Sequence, residues 1–145
     1  MKLIIRKMRK EDLEPLHRIL SDPQVMKYLE PVFTKEKTEA FLLNCGMKEE
    51  PLVYAVEDEH GFAGYVIYHP YDQDSMEIGW VLYPENWGKG YASELTGQLI
   101  ETARDVKKAL IIECDPEQSA SRHIAEKYGF TCLGEKDGLI LFRLD

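Results

Sequence analysis

Cysteine, histidine and basic residues are scarce in this chain, no long apolar run occurs, and each shortage closes off a class of protein. The three cysteines, Cys45, Cys114 and Cys132, are odd in number and fall among strand- and helix-like residues. That speaks against a disulfide scaffold and for reduced thiols in the cytosol. The four histidines, His17, His60, His69 and His123, show no metal-ligand spacing with those cysteines, so no metal is expected. Eighteen Lys and Arg face 26 Asp and Glu, a formal charge of −8. Nucleic acid is then not an expected partner, because binding its backbone needs a basic face. The acidic surplus suits a cationic substrate such as an amine, or serves solubility alone. No apolar stretch approaches the ~20 residues that span a bilayer, so no membrane partner is expected. Residues 1–7 are interrupted by charges and read as a first strand, not a secretory leader; the expected location is cytoplasmic.

What is present describes an ordinary globule: 145 residues, 44% apolar and 30% charged. That length predicts a single domain over residues 1–145 that buries roughly two-thirds of its unfolded surface. Residues 2–8 alternate as a strand. Residues 11–20 carry Leu13, Leu16, Ile19 and Leu20 at helical spacing. Thr34 is a candidate N-cap for a second helix reaching residue 44, with Gly46 as a stop signal. Between them, residues 23–33 are apolar in patches and read as a loop or short helix bordering a cleft. Three β-type runs follow, 52–57, 62–69 and 76–83, with short polar turns that predict an antiparallel meander. A helix over 91–107, a buried strand over 109–114, a helix over 119–128 and a hairpin of 130–134 with 139–144 across residues 135–138 complete the chain. The order β-α-α-β-β-β-α-β-α-β-β predicts an α/β domain with a mixed sheet.

The most informative stretch is Tyr83-Pro84-Glu85-Asn86-Trp87-Gly88-Lys89-Gly90-Tyr91-Ala92, which reads as strand, glycine loop, helix. Two glycines around a lysine let backbone N–H groups crowd an anion, and the helix N-terminus adds positive potential. Three phosphate-site readings compete. A Walker-type loop needs a hydroxyl after the lysine, and Gly90 stands there. A dinucleotide fingerprint matches the spacing of Gly88, Gly90 and Ser93, with Glu113 about twenty-five residues on, yet a Rossmann unit would open its domain and not follow a meander. The third reading is a site for the pyrophosphate of an acyl-CoA.

Residues 77–94 resemble the central motif of the GNAT superfamily of acetyl-CoA-dependent N-acetyltransferases. They are most similar to the branch that acetylates N-terminal amines of ribosomal proteins. The family pattern Gln/Arg-x-x-Gly-x-Gly/Ala is met at Gly90 and Ala92, with Trp87 where Gln or Arg is usual. Residues 21–29 and the stretch from Ser121 to Phe130 agree in order, so the resemblance spans nearly the whole chain. It implies six to seven strands, mostly antiparallel and splayed between strands 4 and 5 after a bulge, with about four helices. It also implies acetyl-CoA as co-substrate.

In that frame the backbone of Trp80, Val81 and Leu82 bonds the pantetheine arm. Trp87, Gly88, Lys89, Gly90, Tyr91, Ala92 and Ser93 wrap the pyrophosphate. Glu77 matches an often acidic position and is the candidate base, acting directly or through water, against the reading of a solvent-facing strand glutamate. Ser121 would hydrogen-bond the leaving thiolate, or else bond locally to its own helix. Two departures stand out: Gln118 replaces an asparagine that commonly contacts CoA, and Ala125 occupies the position of a common acid tyrosine. Tyr128 and Cys132 read as core residues, and His69 as a second base or a turn-capping histidine. Tyr28, Glu30 and Phe33, with Glu77, are candidates for the acceptor pocket. The acceptor is expected to be a small-molecule amine or a protein N-terminal amine, attacking directly in a ternary complex. A non-catalytic acyl-CoA-binding module is the alternative. The exposed edge of a splayed sheet also offers a homodimer contact.

Overall fold

The computed structural model describes residues 2–145. Strand β1 (Ile4–Arg6) leads through a 3-10 turn (Lys10–Asp12) into helix α1 (Leu13–Leu20). Helix α2 (Pro23–Met26) and helix α3 (Lys35–Phe41) follow, then strands β2 (Val53–Asp58), β3 (Gly61–Pro70) and β4 (Ser75–Leu82). Another 3-10 turn (Pro84–Asn86) precedes helix α4 (Tyr91–Asp105) and strand β5 (Ala109–Cys114). Helix α5 (Ser119–Lys127) and strands β6 (Thr131–Lys136) and β7 (Leu139–Leu144) end the described chain. The seven strands form one sheet in the order β1-β2-β3-β4-β5-β7-β6. Strands β4 and β5 run parallel, while β1 with β2, β2 with β3, β5 with β7 and β6 with β7 run antiparallel. This is the mixed α/β fold expected, with five α-helices where about four were expected.

The chain groups into two compact units. The first runs to Ile67 and adds Trp80–Tyr91. Its core gathers Leu16, Ile19 and Leu20 from one face of α1 with Met8, Met26, Phe33, Leu42, Val53, Ala55, Tyr65, Val81 and Tyr83. Helix α2 starts where Asp22 accepts the Gln24 N–H at 2.8 Å and Pro23 takes the first helical position. Asp12 is buried and takes a two-pronged bond from Arg6, 2.8 Å at each oxygen. The helix expected to reach residue 44 turns π-type over Leu42–Gly46, where the Met47 N–H bonds the Leu42 carbonyl at 2.8 Å. Gly46 lies against Met8, whose sulfur would be 2.5 Å from an added Cβ.

The second unit comprises Tyr68–Gly79 and Ala92–Asp145. Four of the six β5 residues in sequence, Ala109, Leu110, Ile111 and Ile112, are buried, as is Cys114, in keeping with a strand covered on both faces. Leu95, Leu99, Ile100 and Ala103 supply the buried stripe of α4. The β6–β7 turn is shorter than the four residues expected: strand pairing reaches Lys136↔Leu139, leaving Asp137-Gly138, both at positive φ. Asp-Gly is the pair that a two-residue type I′ turn favours. Cys132, expected as a small buried residue, is exposed, because every β6 residue faces solvent. No helix among the described residues is long and apolar enough to cross a membrane.

Candidate active site

The β4–β5 pairing fixes the first candidate group. It runs through three register pairs, Ser75↔Ala109, Met76↔Leu110 and Glu77↔Ile111. Paired residues share a face and so do residues two apart, so Glu77 and Glu113 stand on the same side of the sheet. Glu77 is half-buried, and among the described residues no hydrogen bond or ion pair holds its carboxylate. Burial, then the like charge of Glu113, push its pKa up, with His69 opposing. A carboxyl so tuned holds a proton more readily than a solvent glutamate, as a general base near neutral pH requires. His69 donates from Nδ1 to the Pro70 carbonyl at 3.0 Å, the turn-capping arrangement.

Past Glu77, no register pair among the described residues joins 78–82 to β5, which instead continues along β7 to Cys114↔Ile140. Trp80 is half-buried, whereas Val81 and Leu82 are both buried, so the alternation of β4 breaks at its end. The indole N–H of Trp87 takes the Leu82 carbonyl at 3.1 Å, while 45% of the residue stays exposed.

The glycine loop is pinned at both ends within the first unit. Before it, buried Asn86 donates its amide to the Ala63 carbonyl at 3.2 Å. After it, the Tyr91 hydroxyl donates to Asp58 at 2.8 Å. Burial works against the Asp58 carboxylate, yet this bond, the His60 N–H and nearby Lys89 hold its pKa below the usual range. Between the anchors Gly88, Lys89 and Gly90 are all exposed, and the glycines adopt φ of +74° and +83°. Apart from the adjoining residues of the loop, no described atom lies within 4 Å of where either Cβ would be. The loop thus turns its backbone to open space on a fixed base. Asn86 was missed in the sequence; a polar side chain directly ahead of a glycine loop was the available signal.

At the head of α4, Ser93 is held from α5. Its carbonyl accepts the Tyr128 hydroxyl at 2.6 Å, and its Oγ accepts Lys127 Nζ at 2.5 Å. Tyr128, expected as core, is half-buried and spends its hydroxyl as this brace. Gln118, the residue before α5, uses its side-chain oxygen to accept the Asp115 N–H at 2.8 Å, closing its own turn. Ser121 is half-buried in the first turn of α5, and its hydroxyl makes no local hydrogen bond among the described residues.

The acceptor candidates are less uniform. Tyr28 is half-buried under Lys27, whose Nζ lies 5.2 Å from the ring centre. Glu30 pairs with Lys37 at 2.9 Å on the surface. Phe33, at 5% exposure, packs edge-on to Phe41 and belongs to the core. These three belong to the first unit; Glu77, Gln118 and Ser121 belong to the second. Among the described residues no group of three or more His, Cys, Asp or Glu is arranged to hold a metal.

Comparison with known proteins supplies independent findings. The sequence model of the acetyltransferase (GNAT) domain matches residues 2–131. An uncharacterized N-acetyltransferase of Bacillus subtilis, YnaD, is 33% identical over 133 residues, covering 88% of this chain and 78% of that one. A GNAT-family acetyltransferase structure from Bacillus anthracis is similar with a TM-score of 0.88 and 29% identity, covering 99% of this chain and 95% of that one. The fold also resembles spermidine N-acetyltransferase from Vibrio cholerae, solved with CoA and spermine, at a TM-score of 0.80 and 20% identity over 97% of this chain and 92% of that one. None of these matches singles out the ribosomal-protein branch.

Proposed function

Because this chain belongs to the GNAT acetyltransferase family, we propose that it moves acetyl from acetyl-CoA to a primary amine by direct attack in a ternary complex. One candidate acceptor class is the protein N-terminal amine of the ribosomal-protein branch. The observation that carries the reading is the exposed glycine loop, anchored by Asn86 and Tyr91 and opening straight into a fifteen-residue helix. Backbone N–H groups with open space before them, backed by a helix pole, suit a diphosphate.

In this reading Gly88, Lys89, Gly90, Tyr91, Ala92 and Ser93 hold the diphosphate, and Trp87 fixes the approach to the loop. Trp80, Val81 and Leu82 offer main-chain groups to the pantetheine arm as an added strand would. The Leu82 carbonyl is already occupied by Trp87, so the arm draws on the remaining main-chain groups. The thioester brings an acyl group already activated towards an amine.

Glu77 then removes a proton from the acceptor ammonium, whose pKa is ~8 for a protein N-terminus and ~10 for an alkylamine, directly or through water. The freed lone pair forms the C–N bond as the C–S bond breaks, and the nitrogen passes its surplus proton through water to the departing sulfur. The N–H of Val81 or Leu82 bears the charge that develops on the carbonyl oxygen. Ser121, with an uncommitted hydroxyl, donates a hydrogen bond to the leaving thiolate, and water returns its proton. Gln118 supports α5 through its turn instead of offering its side-chain oxygen to CoA. Tyr28 and Glu30 remain acceptor-side candidates; Phe33 supports them from the core. A homodimer through the exposed β6 edge belongs to the same proposal.

The test is incubation with acetyl-CoA and a panel of amines: an N-terminal peptide, a polyamine, an aminoglycoside and an amino acid. Free thiol should appear in step with acetylated amine. Tight CoA binding without thiol release on any amine would replace the enzyme with an acyl-CoA-binding module. No CoA binding would end both readings.

A further inference from the structure

Tyr65, on β3, keeps only 4% of its surface exposed, yet its hydroxyl has no hydrogen-bond partner among the described residues. A buried phenol ordinarily finds one. The atom is not sealed in. Among the described residues Arg122 Nε is the one fully enclosed side-chain polar atom that lacks a partner, so the small exposure left to Tyr65 includes Oη. Its neighbours are aromatic and apolar: the Phe41 ring lies 5.6 Å away, with Phe33 edge-on behind it at 5.8 Å from Phe41. Directly after Phe41 the chain makes the π-type turn of Leu42–Gly46, which carries Cys45, and such turns recur at functional sites. Burial, then the charge of Glu30 and then Cys45, raise the Tyr65 pKa, so the hydroxyl keeps its proton and can donate it. Tyr65 also adjoins the proposed oxyanion strand within the first unit. It follows Gly64, whose added Cβ would stand 2.4 Å from the Val81 carbonyl oxygen, and it shares one core cluster with Val81.

From this arrangement we infer that Tyr65 is a specificity-determining residue for the acceptor: its hydroxyl donates to an oxygen on the body of the amine, while the Phe41 ring covers the apolar remainder. The inference rests on the N-acetyltransferase reading above and narrows the acceptor to amines whose apolar body carries one hydroxyl or carbonyl oxygen. Before binding, Oη can meet water. An amine lacking the oxygen would close Oη against hydrocarbon with its hydrogen bond unmade, so the site penalises the wrong acceptor as well as rewarding the right one. Tyr65 touches no reacting atom, and its effect falls on acceptor binding.

Wild type and Tyr65→Phe are assayed with acetyl-CoA on three amine pairs whose members differ by one oxygen: phenethylamine with tyramine, pentylamine with aminopentanol, and peptides beginning with Ala or Ser. In at least one pair wild type should favour the oxygenated amine by about tenfold in kcat/KM, carried by KM. Tyr65→Phe should erase that preference while CoA affinity and the pH–rate profile stay unchanged. It should also melt within about 2 °C of wild type, since the hydroxyl has no internal partner to lose. No preference in wild type, or a preference that survives in Tyr65→Phe, overturns the inference. Equal loss on both members of each pair means that Tyr65 only packs, and overturns it too. So does a larger fall in Tm, which would reveal an internal partner for the hydroxyl. Turnover confined to amines outside all three pairs overturns it as well. Absence of turnover on every amine, with CoA still bound, defeats the N-acetyltransferase reading itself, a result distinct from the others.

Discussion

Alanine at Gly64 would drive a methyl group into the strand proposed to carry the pantetheine contacts. The new Cβ would stand 2.4 Å from the Val81 carbonyl oxygen, 2.9 Å from Leu82 Cδ2 and 3.0 Å from Leu82 Cα. Carbon approaches a carbonyl oxygen to about 3.3 Å, so Val81 must retreat by about 0.9 Å. Two of the three atoms are backbone and both residues are buried, so no rotamer change relieves the clash. Overpacking costs ~1–3 kcal/mol, and a backbone clash falls at the upper end. At roughly 3 °C per kcal/mol for a chain of this size, Tm should fall by about 9 °C. Calorimetry reads this directly. Gly61→Ala carries the strain of a positive φ (+111°) while its added Cβ meets no neighbour within 4 Å, so the loss at Gly64 beyond that at Gly61 reads the clash. CoA affinity should also drop, because the Val81 and Leu82 amides move with the strand. Melting of Gly64→Ala within about 2 °C of wild type, with CoA affinity intact, would refute the packing argument and the role given to this strand.

Glu77→Gln should lower kcat/KM by about a hundredfold with CoA affinity unchanged. The wild-type rate should climb with pH through a value above the ordinary carboxylate range, because burial and then Glu113 raise the Glu77 pKa and a base works only when deprotonated. An unaltered pH–rate profile in the variant would remove Glu77 from the chemistry. Gly90→Val, at φ +83° with open space around it, should weaken CoA by at least about tenfold through ~1–3 kcal/mol of backbone strain. Normal CoA affinity there would mean the diphosphate sits elsewhere. Asp12→Ala should cost about 2 kcal/mol in urea melts at pH 7, since it removes the two-pronged partner of Arg6 while Glu57 still pairs with the guanidinium. Burial opposes the Asp12 carboxylate, but Arg6 and the Arg9 N–H outweigh it and lower its pKa. Its stabilisation is therefore complete above the unfolded value near 3.9 and fades as pH falls through the lower folded one. The variant should show a shallower acid limb, and equal acid sensitivity would contradict this.

Legibility followed the range of the forces involved. Strand β5 was readable to the residue because burial on both faces leaves an uninterrupted apolar run. Helix α4 and the glycine loop were readable because Gly88, Gly90 and a 3.6-residue stripe are local signals. The Asp22-Pro23 start of α2 is also a local signal, but the segment is too short to build a periodic pattern, so its sequence fits loop and short helix alike. What the sequence did not disclose was which particular groups commit to one another. Phe33 looked like a pocket residue because it stands in a patchy loop, but Phe41 and the α1 core claim it. Gln118 looked available for a cofactor, yet its oxygen closes the turn at Asp115. Tyr128 at an aliphatic position suggested core, and only its 2.6 Å bond to Ser93 reveals a brace between helices. Ser93 lies 35 residues from Tyr128, beyond the reach of any periodicity, and the Gln118–Asp115 bond, although local, belongs to a turn that leaves no periodic pattern.

The strand order β5-β7-β6 also governs how the second unit can assemble during synthesis. Residues 139–144 are made after 131–136 yet lie between them and β5, so a released chain truncated at Asp137 would leave β6 with no neighbour to receive its main-chain groups. Such a truncated chain would carry an unpaired, adhesive strand, because the strand that receives β6 is made after it.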